Sequence, residues 1–117
     1  MPFVQANGIS IYYEIAGTGE PVLFISGTGA DLRVKPNVLD GPFAKQHKVL
    51  AFDQRGLGQT EKPQADYEME DYADDAAALI ATLDWPKVDV IGVSFGGMVA
   101  LHLALRHADV INRLVLC

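Results

Sequence analysis

Hydrophobic and polar residues alternate at the start of the chain, on either side of the dipeptide Asn7-Gly8. Beyond the dipeptide, Ile9, Ile11 and Tyr13 fall on one face of an extended segment, because successive side chains of a strand point to opposite sides. Asn-Gly is a preferred pair for a two-residue turn in which both residues take a positive φ. The pattern therefore predicts that two antiparallel strands open the fold as a hairpin.

Continuous apolar runs at 22–25 and 49–52 follow this hairpin and predict strands that are buried on both faces. The segments 88–91 and 111–117, which are apolar apart from Asp89, Asn112 and Arg113, predict two more strands. Apolar residues recur at helical spacing over 68–83, the segment 95–107 predicts another helix, and 31–47, which prolines interrupt, predicts one short helix. This alternation predicts an α/β fold, a single domain over residues 1–117 with a mostly parallel sheet and helices on both faces.

The charge balance argues against two classes of partner. The chain has nine Lys and Arg residues and fifteen Asp and Glu residues, which gives a formal net charge of -6. Nucleic acids and anionic membranes are bound through basic patches. The composition therefore predicts no nucleic-acid partner and no membrane partner, whereas small or neutral ligands fit.

Acidic residues crowd the start of the helix predicted over 68–83. No His or Cys joins them, so they do not form a typical metal site, and the helix dipole favours carboxylates at this position. We expect these side chains to be solvated, and we expect no metal and no cofactor. The acidic residues are Glu68, Glu70, Asp71, Asp74 and Asp75.

The longest apolar stretch, 88–105, approaches the length of a membrane span. Asp89, Ser94 and His102 interrupt it, so a buried strand, a turn and a buried helix explain it better. The first eight residues have neither a basic start nor an apolar run, which predicts no signal peptide. Cys117 is the single cysteine and can form no internal disulfide, so the sequence predicts a cytoplasmic protein.

The segment Gly92-Val93-Ser94-Phe95-Gly96 fits the pattern G-x-S-x-G and lies between a predicted strand and a predicted helix, which is the context that the pattern requires. A strand that turns at once into a helix leaves no room for a Cβ two residues before or after the bend. We therefore expect Ser94 on a strained turn, with its hydroxyl group projecting past the sheet. This position predicts a nucleophilic serine.

The helix that follows Ser94 presents free N–H groups and the positive end of its dipole, which favour a developing oxyanion. We predict the main-chain N–H of Phe95 as one donor to this oxyanion, and that of Thr28, after the run 22–25, as the second. Two other interpretations of the turn stay open. One is a dinucleotide-binding turn, although the G-x-G-x-x-G spacing would need Gly at position 94, and the other is a purely structural bend.

Several features resemble the α/β-hydrolase superfamily along nearly the whole chain. They are the opening hairpin, the loop after Ile25, the D-x-R-G-x-G loop of residues 53–58, and the G-x-S-x-G turn at Ser94. Among the branches of this superfamily, the chain is similar to the 3-oxoadipate enol-lactonase and small esterase group. The resemblance implies the N-terminal portion of that fold.

The resemblance also implies hydrolysis of a carboxylic ester or lactone, with Ser94 as nucleophile and Thr28 and Phe95 as oxyanion donors. Relatives with an Asp nucleophile, the haloalkane dehalogenases and epoxide hydrolases, are disfavoured by Ser94. One departure is Ser26-Gly27 where many members carry His-Gly, which affects loop geometry more than mechanism because the donor is a backbone group. We expect Asp53 and Arg55 to hold their loop together by an ion pair.

A serine hydroxyl needs a general base and an acid that orients the base. His47 precedes the strand over 49–52. It should therefore lie roughly 15 Å from the carboxyl ends of the strands, where Ser94 is expected, at about 3.3 Å per residue. His102 and His107 should lie roughly 10 and 18 Å along the helix after Ser94, at about 1.5 Å per residue. In the resembled family the acid and the histidine follow later strands. We therefore expect a truncated domain with little turnover by itself.

The last predicted strand leaves an apolar sheet edge uncovered, which predicts a homo-oligomer. The alternative to a hydrolase is a non-catalytic module of the same fold that binds a small ligand or a partner chain.

Overall fold

The computed structural model describes residues 2–117 as one six-stranded sheet with helices. The strands are β1 (Phe3–Ala6), β2 (Ile9–Ala16), β3 (Glu20–Ile25), β4 (His47–Phe52), β5 (Val88–Gly92) and β6 (Ile111–Leu116). The helices are α1 (Phe43–Gln46), α2 (Met69–Thr82) and α3 (Phe95–Arg106), with 3-10 turns at Val38–Asp40 and Ala108–Val110.

The strand order across the sheet is β1-β2-β4-β3-β5-β6. The pairs β3/β4, β3/β5 and β5/β6 are parallel, whereas β1/β2 and β2/β4 are antiparallel. The predicted hairpin is confirmed: Asn7 and Gly8 connect β1 and β2 with φ values of 51° and 80°. The carboxyl ends of β3, β4 and β5 therefore meet at one edge of the sheet, which is where ligands bind in open α/β sheets.

The hydrophobic core lies between one face of the sheet and the helices α2 and α3, which pack against each other. Leu23, Leu50 and Val90 point from the central strands into this core and are fully buried. The alternate residues Val22 and Ile91 lie on the opposite face near Phe43 of the short helix α1. Helices thus occupy both faces, as predicted, with the two long ones on the same side.

The stretch 88–105 is divided between β5, a turn and α3, as predicted. Within residues 2–117, no helix combines the length and apolar character that a membrane crossing requires. The strand β6 lies at one edge of the sheet, and Val115 and Leu116 on it are exposed. Self-association through this edge stays a prediction.

Candidate active site

The turn between β5 and α3 places Ser94 at the carboxyl edge of the sheet. Ser94 has φ 55° and ψ -120°, a conformation that L-residues rarely adopt, and its side chain is exposed. The strand ends at Gly92 and the helix begins at Phe95, so only two residues connect them. The structure confirms the predicted turn geometry and the outward position of the serine.

Close backbone approach explains both glycines of the G-x-S-x-G pattern. A Cβ on Gly96 would lie 2.1 Å from the carbonyl oxygen of Ile25 and 2.6 Å from that of Ser26. A Cβ on Gly92 would lie 2.5 Å from the carbonyl oxygen of Gly96. These contacts are with main-chain atoms, which cannot rotate away, so the steric argument made from the sequence is confirmed.

Backbone hydrogen bonds from both neighbouring strands hold the turn in place. The N–H of Val93 donates to the carbonyl oxygen of Ile25 at 3.1 Å, and the N–H of Ser94 donates to that of Cys117 at 2.9 Å. Cys117 in turn donates its N–H to Gly92 at 2.9 Å. Because two strands fix it, the turn can keep a strained residue in place.

The predicted oxyanion donors lie around one cavity beside the turn, since Thr28 and Phe95 both line it. The loop that carries Thr28 approaches the serine closely: a Cβ on Gly27 would lie 4.0 Å from Ser94 Oγ. Among residues 2–117, no acceptor receives a hydrogen bond from the N–H of Thr28 or of Phe95. Both groups thus have the free donor that oxyanion stabilisation requires.

Relief of the strain at position 94 gives a first prediction. We expect Ser94→Gly to raise the free energy of unfolding by about 1 kcal/mol, because glycine adopts this positive φ without strain. The greater conformational entropy that glycine loses on folding offsets part of the gain. Ser94→Ala keeps the Cβ and is the matched control, with little change expected. Urea denaturation measures both variants, and equal stability of the two would contradict strain at this residue.

The loop after β4 supports the loop that carries Thr28. The side-chain N–H of Gln54 donates to the carbonyl oxygen of Ser26 at 2.9 Å, and the N–H of Leu32 donates to the Asp53 carboxylate at 2.9 Å. The N–H of Gln59 donates to the other oxygen of Asp53 at 2.9 Å. Burial raises the pKa of Asp53, and these two N–H donors oppose that shift.

The predicted ion pair between Asp53 and Arg55 is wrong. Arg55 instead binds Asp75 on α2 through two hydrogen bonds of 2.7 and 2.8 Å, with side-chain exposures of 9% and 2%. Asn7 of the opening hairpin donates a further hydrogen bond to Asp75 at 2.9 Å. Asp53 is occupied by backbone donors, so the two neighbours in sequence serve different parts of the fold.

This pairing also corrects the prediction that the acidic residues at the start of α2 are all solvated. Asp75 is buried, because it faces the core side where Arg55 reaches it. Asp71 accepts a hydrogen bond from the backbone N–H of Glu68 at 2.8 Å, in a capping box. Asp74 pairs with Arg106 at the end of α3 and contacts His107, which follows the helix, and the Arg106 guanidinium holds the pKa of that carboxyl below its usual range.

The three histidines lie in other parts of the structure. His47 begins β4 at the opposite end of the strand, where its ring stacks on Phe43. His107 follows α3 and contacts Asp74 at 2.7 Å. His102 lies in the second half of α3, roughly 10 Å along the axis from its start at about 1.5 Å per residue.

Three residues near the site were not predicted from the sequence. Gln54 lies inside the D-x-R-G-x-G loop, and its place between two motif residues was the only signal for it. Tyr67 and Tyr72 line the cavity with Thr28 and Phe95. No spacing in the sequence connects these tyrosines with the turn at Ser94.

The comparison with known families agrees with this geometry. A sequence model of the family described as alpha/beta hydrolase fold matches residues 20–117. The chain belongs to the α/β-hydrolase family. The predicted family and fold class are therefore confirmed, and the turn at Ser94 has the strand–turn–helix context in which the G-x-S-x-G pattern occurs in this fold.

Other members of the family are similar over most of this chain. The crystal structure of the enol-lactonase from Burkholderia xenovorans LB400 is 31% identical with a TM-score of 0.87, and the match covers 97% of this chain and 45% of that one. The 2-hydroxymuconate semialdehyde hydrolase of Pseudomonas sp. strain CF600 is 35% identical over 116 residues, 97% of this chain and 41% of the relative. The soluble epoxide hydrolase of Corynebacterium sp. strain C12 is 36% identical over 108 residues, 92% of this chain and 37% of the relative.

These similarities confirm the predicted relation to the enol-lactonase group, and the matched relatives include several hydrolases. The α/β-hydrolase chain described here spans between 34% and 41% of the length of the curated relatives that it matches.

Proposed function

We propose that this chain carries the nucleophile and the oxyanion hole of a serine hydrolase that cleaves a carboxylic ester or a lactone. The observation that carries the proposal is the exposed Ser94 at φ 55°, next to Thr28 and Phe95, which line one cavity and whose N–H groups donate to no acceptor among residues 2–117. The proposed substrate is a small molecule.

In the proposed reaction, Ser94 Oγ attacks the carbonyl carbon of the substrate and its proton passes to a general base. The carbonyl oxygen takes the negative charge and accepts hydrogen bonds from the N–H groups of Thr28 and Phe95. The bond to the leaving alcohol then breaks, and the alcohol takes the proton from the base. Water hydrolyses the resulting seryl ester by the same steps, so this acyl transfer uses no cofactor.

The position of the histidines supports catalytic residues that are divided between this chain and other polypeptide. Among residues 2–117, none of the three histidines lies at the carboxyl edge of the sheet beside Ser94. We therefore propose that the general base and its acidic partner come from polypeptide other than these 117 residues. The same observation favours a second candidate function, a non-catalytic module that binds a small ligand or partner in the cavity at Ser94.

The names of the relatives support hydrolysis but do not agree on one substrate. They include an enol-lactonase, a semialdehyde hydrolase and an epoxide hydrolase. A serine nucleophile favours acyl transfer through an ester intermediate, so Ser94 supports the lactone and ester substrates over an epoxide.

The nucleophile can be tested without the missing base, because a thiol ionises far more readily than a hydroxyl group. In the variant Ser94→Cys with Cys117→Ser, we expect the helix N-terminus to lower the pKa of the new thiol below about 7.5. Treatment with p-nitrophenyl acetate should release one equivalent of p-nitrophenolate in a burst, as the bond between sulfur and the acyl carbon forms. The absorbance of p-nitrophenolate, corrected for its ionisation at the assay pH, measures the burst. Intact mass measures the thioester.

The unmodified chain, whose single thiol is the exposed Cys117, is the matched control. It should react more slowly and should hydrolyse the ester no faster than Ser94→Ala. A thiol at position 94 that titrates at or above about 8.5 and reacts no faster than Cys117 would contradict the proposal and favour the non-catalytic module.

A further inference from the structure

The cavity beside Ser94 has a volume of about 250 Å³. Besides the two proposed oxyanion donors, it is lined by Tyr67, Tyr72, Leu57 and Arg55. An apolar cavity of roughly 150 Å³ accommodates benzene, so a phenyl-sized group with a short linker fits here.

Three of the seven lining residues that the structure describes are aromatic, and their rings meet edge to face. The rings of Tyr72 and Phe95 are 5.1 Å apart at 83°, and those of Tyr67 and Tyr72 are 5.9 Å apart at 83°. The hydroxyl group of Tyr67 donates to the carbonyl oxygen of Pro63 at 2.6 Å, so its hydrogen-bonding capacity is used outside the cavity. Burial raises the pKa of Tyr72, which therefore stays uncharged. Another aromatic ring would extend this edge-to-face arrangement.

The charge in the wall is already compensated. Arg55 forms two short hydrogen bonds with the buried carboxylate of Asp75, and its guanidinium carbon lies 5.3 Å from the ring centre of Tyr67. An anionic group in the cavity would compete with Asp75 for Arg55 and would lose its own hydration. The cavity thus suits a neutral group.

The two parts of an ester differ in where they must lie. The leaving alcohol has to receive a proton from the general base, so it lies on the side of that base. The cavity is instead formed by α2, the loop after β4 and the start of α3, next to the proposed oxyanion donors. Because no histidine of residues 2–117 lines this cavity, the acyl group, which exchanges no proton with the base, is the part of the substrate assigned to it.

We propose that this cavity is the acyl-binding site and that it selects neutral aromatic acyl groups, with Tyr72 as the specificity-determining residue. The inference rests on the proposed serine hydrolase function. It extends that function to a substrate class, the esters or lactones of neutral arylalkanoic acids.

The test uses the Ser94→Cys, Cys117→Ser variant and measures its acylation rate with matched p-nitrophenyl esters. Each rate is divided by the rate at which the same ester acylates a free thiol. We expect phenylacetyl transfer to exceed acetyl transfer by about tenfold, and cyclohexylacetyl transfer to fall between them. The anionic glutaryl monoester should react no faster than the acetate. Adding Tyr72→Phe should keep the preference, whereas adding Tyr72→Leu should lower it by about threefold to tenfold.

Tyr13→Leu, the same change on β2 outside the cavity, is the matched control and should leave the preference unchanged. If Tyr72→Leu does not fold, Tyr67→Leu replaces it. Equal relative rates for all esters, or fastest reaction with the anionic ester, would overturn the aromatic acyl site while the thiol still reacts. No acceleration over Cys117 with any ester would instead reject the serine hydrolase function itself.

Discussion

Replacing Gly96 with alanine is expected to prevent folding or to lower the free energy of unfolding by about 3 kcal/mol or more. The added methyl group would lie 2.1 Å from the carbonyl oxygen of Ile25, well inside the van der Waals contact distance between a carbon and an oxygen atom. Relief would require β3 and α3 to separate, and this would disturb the core and the oxyanion loop together. Urea denaturation followed by circular dichroism measures the loss.

Gly97→Ala is the matched control, since it makes the same change at the next residue of the same helix. Its Cβ would lie 3.4 Å from the nearest atom, the carbonyl oxygen of Gly92, which is an ordinary contact. The stability should change by no more than about 1 kcal/mol, because alanine is also the better helix former. Equal stability of the two variants would show that the close approach at Gly96 is not required.

The second large effect is expected from the buried pair between Arg55 and Asp75. Arg55→Met should lower the free energy of unfolding by about 3–5 kcal/mol, because it leaves the Asp75 carboxylate buried without its cation. The Asn7 side chain supplies only one neutral hydrogen bond to that carboxylate. The double variant Arg55→Met, Asp75→Leu should recover most of the loss, since a buried pair can often be replaced by apolar side chains.

Arg113→Met tests whether any arginine would have such an effect. Arg113 pairs with Asp89 at 2.8 Å, but its side chain is 72% exposed, so solvent already screens the pair. We expect no measurable destabilisation from this change. A loss at Arg55 as small as that at Arg113, or a double variant no more stable than Arg55→Met, would contradict the role assigned to the buried pair.

The elements of this fold were predictable where the signal is local. The helix predicted over 68–83 is observed at Met69–Thr82, and the turn at Asn7-Gly8 has the positive φ values that its residues favour. The turn at Ser94 belongs to the same class, because its two glycines and its serine lie within five residues. Apolar spacing, turn chemistry and short-range sterics act between near neighbours, so a sequence window contains all the atoms involved.

Contacts between distant segments of the folded chain set which side chains meet at the site. Arg55 and Asp53 are two residues apart and oppositely charged, yet each binds partners elsewhere. Helix α2 brings Asp75 to Arg55, and the loops after β3 and β4 supply the two backbone donors to Asp53. Tyr67 and Tyr72 join Phe95 through the packing of α2 on α3. Local sequence signals thus set the strands, the helices and the exposed serine. The ion pairs and the aromatic wall depended on strand order and helix packing, since those contacts form between segments that only the folded chain brings together.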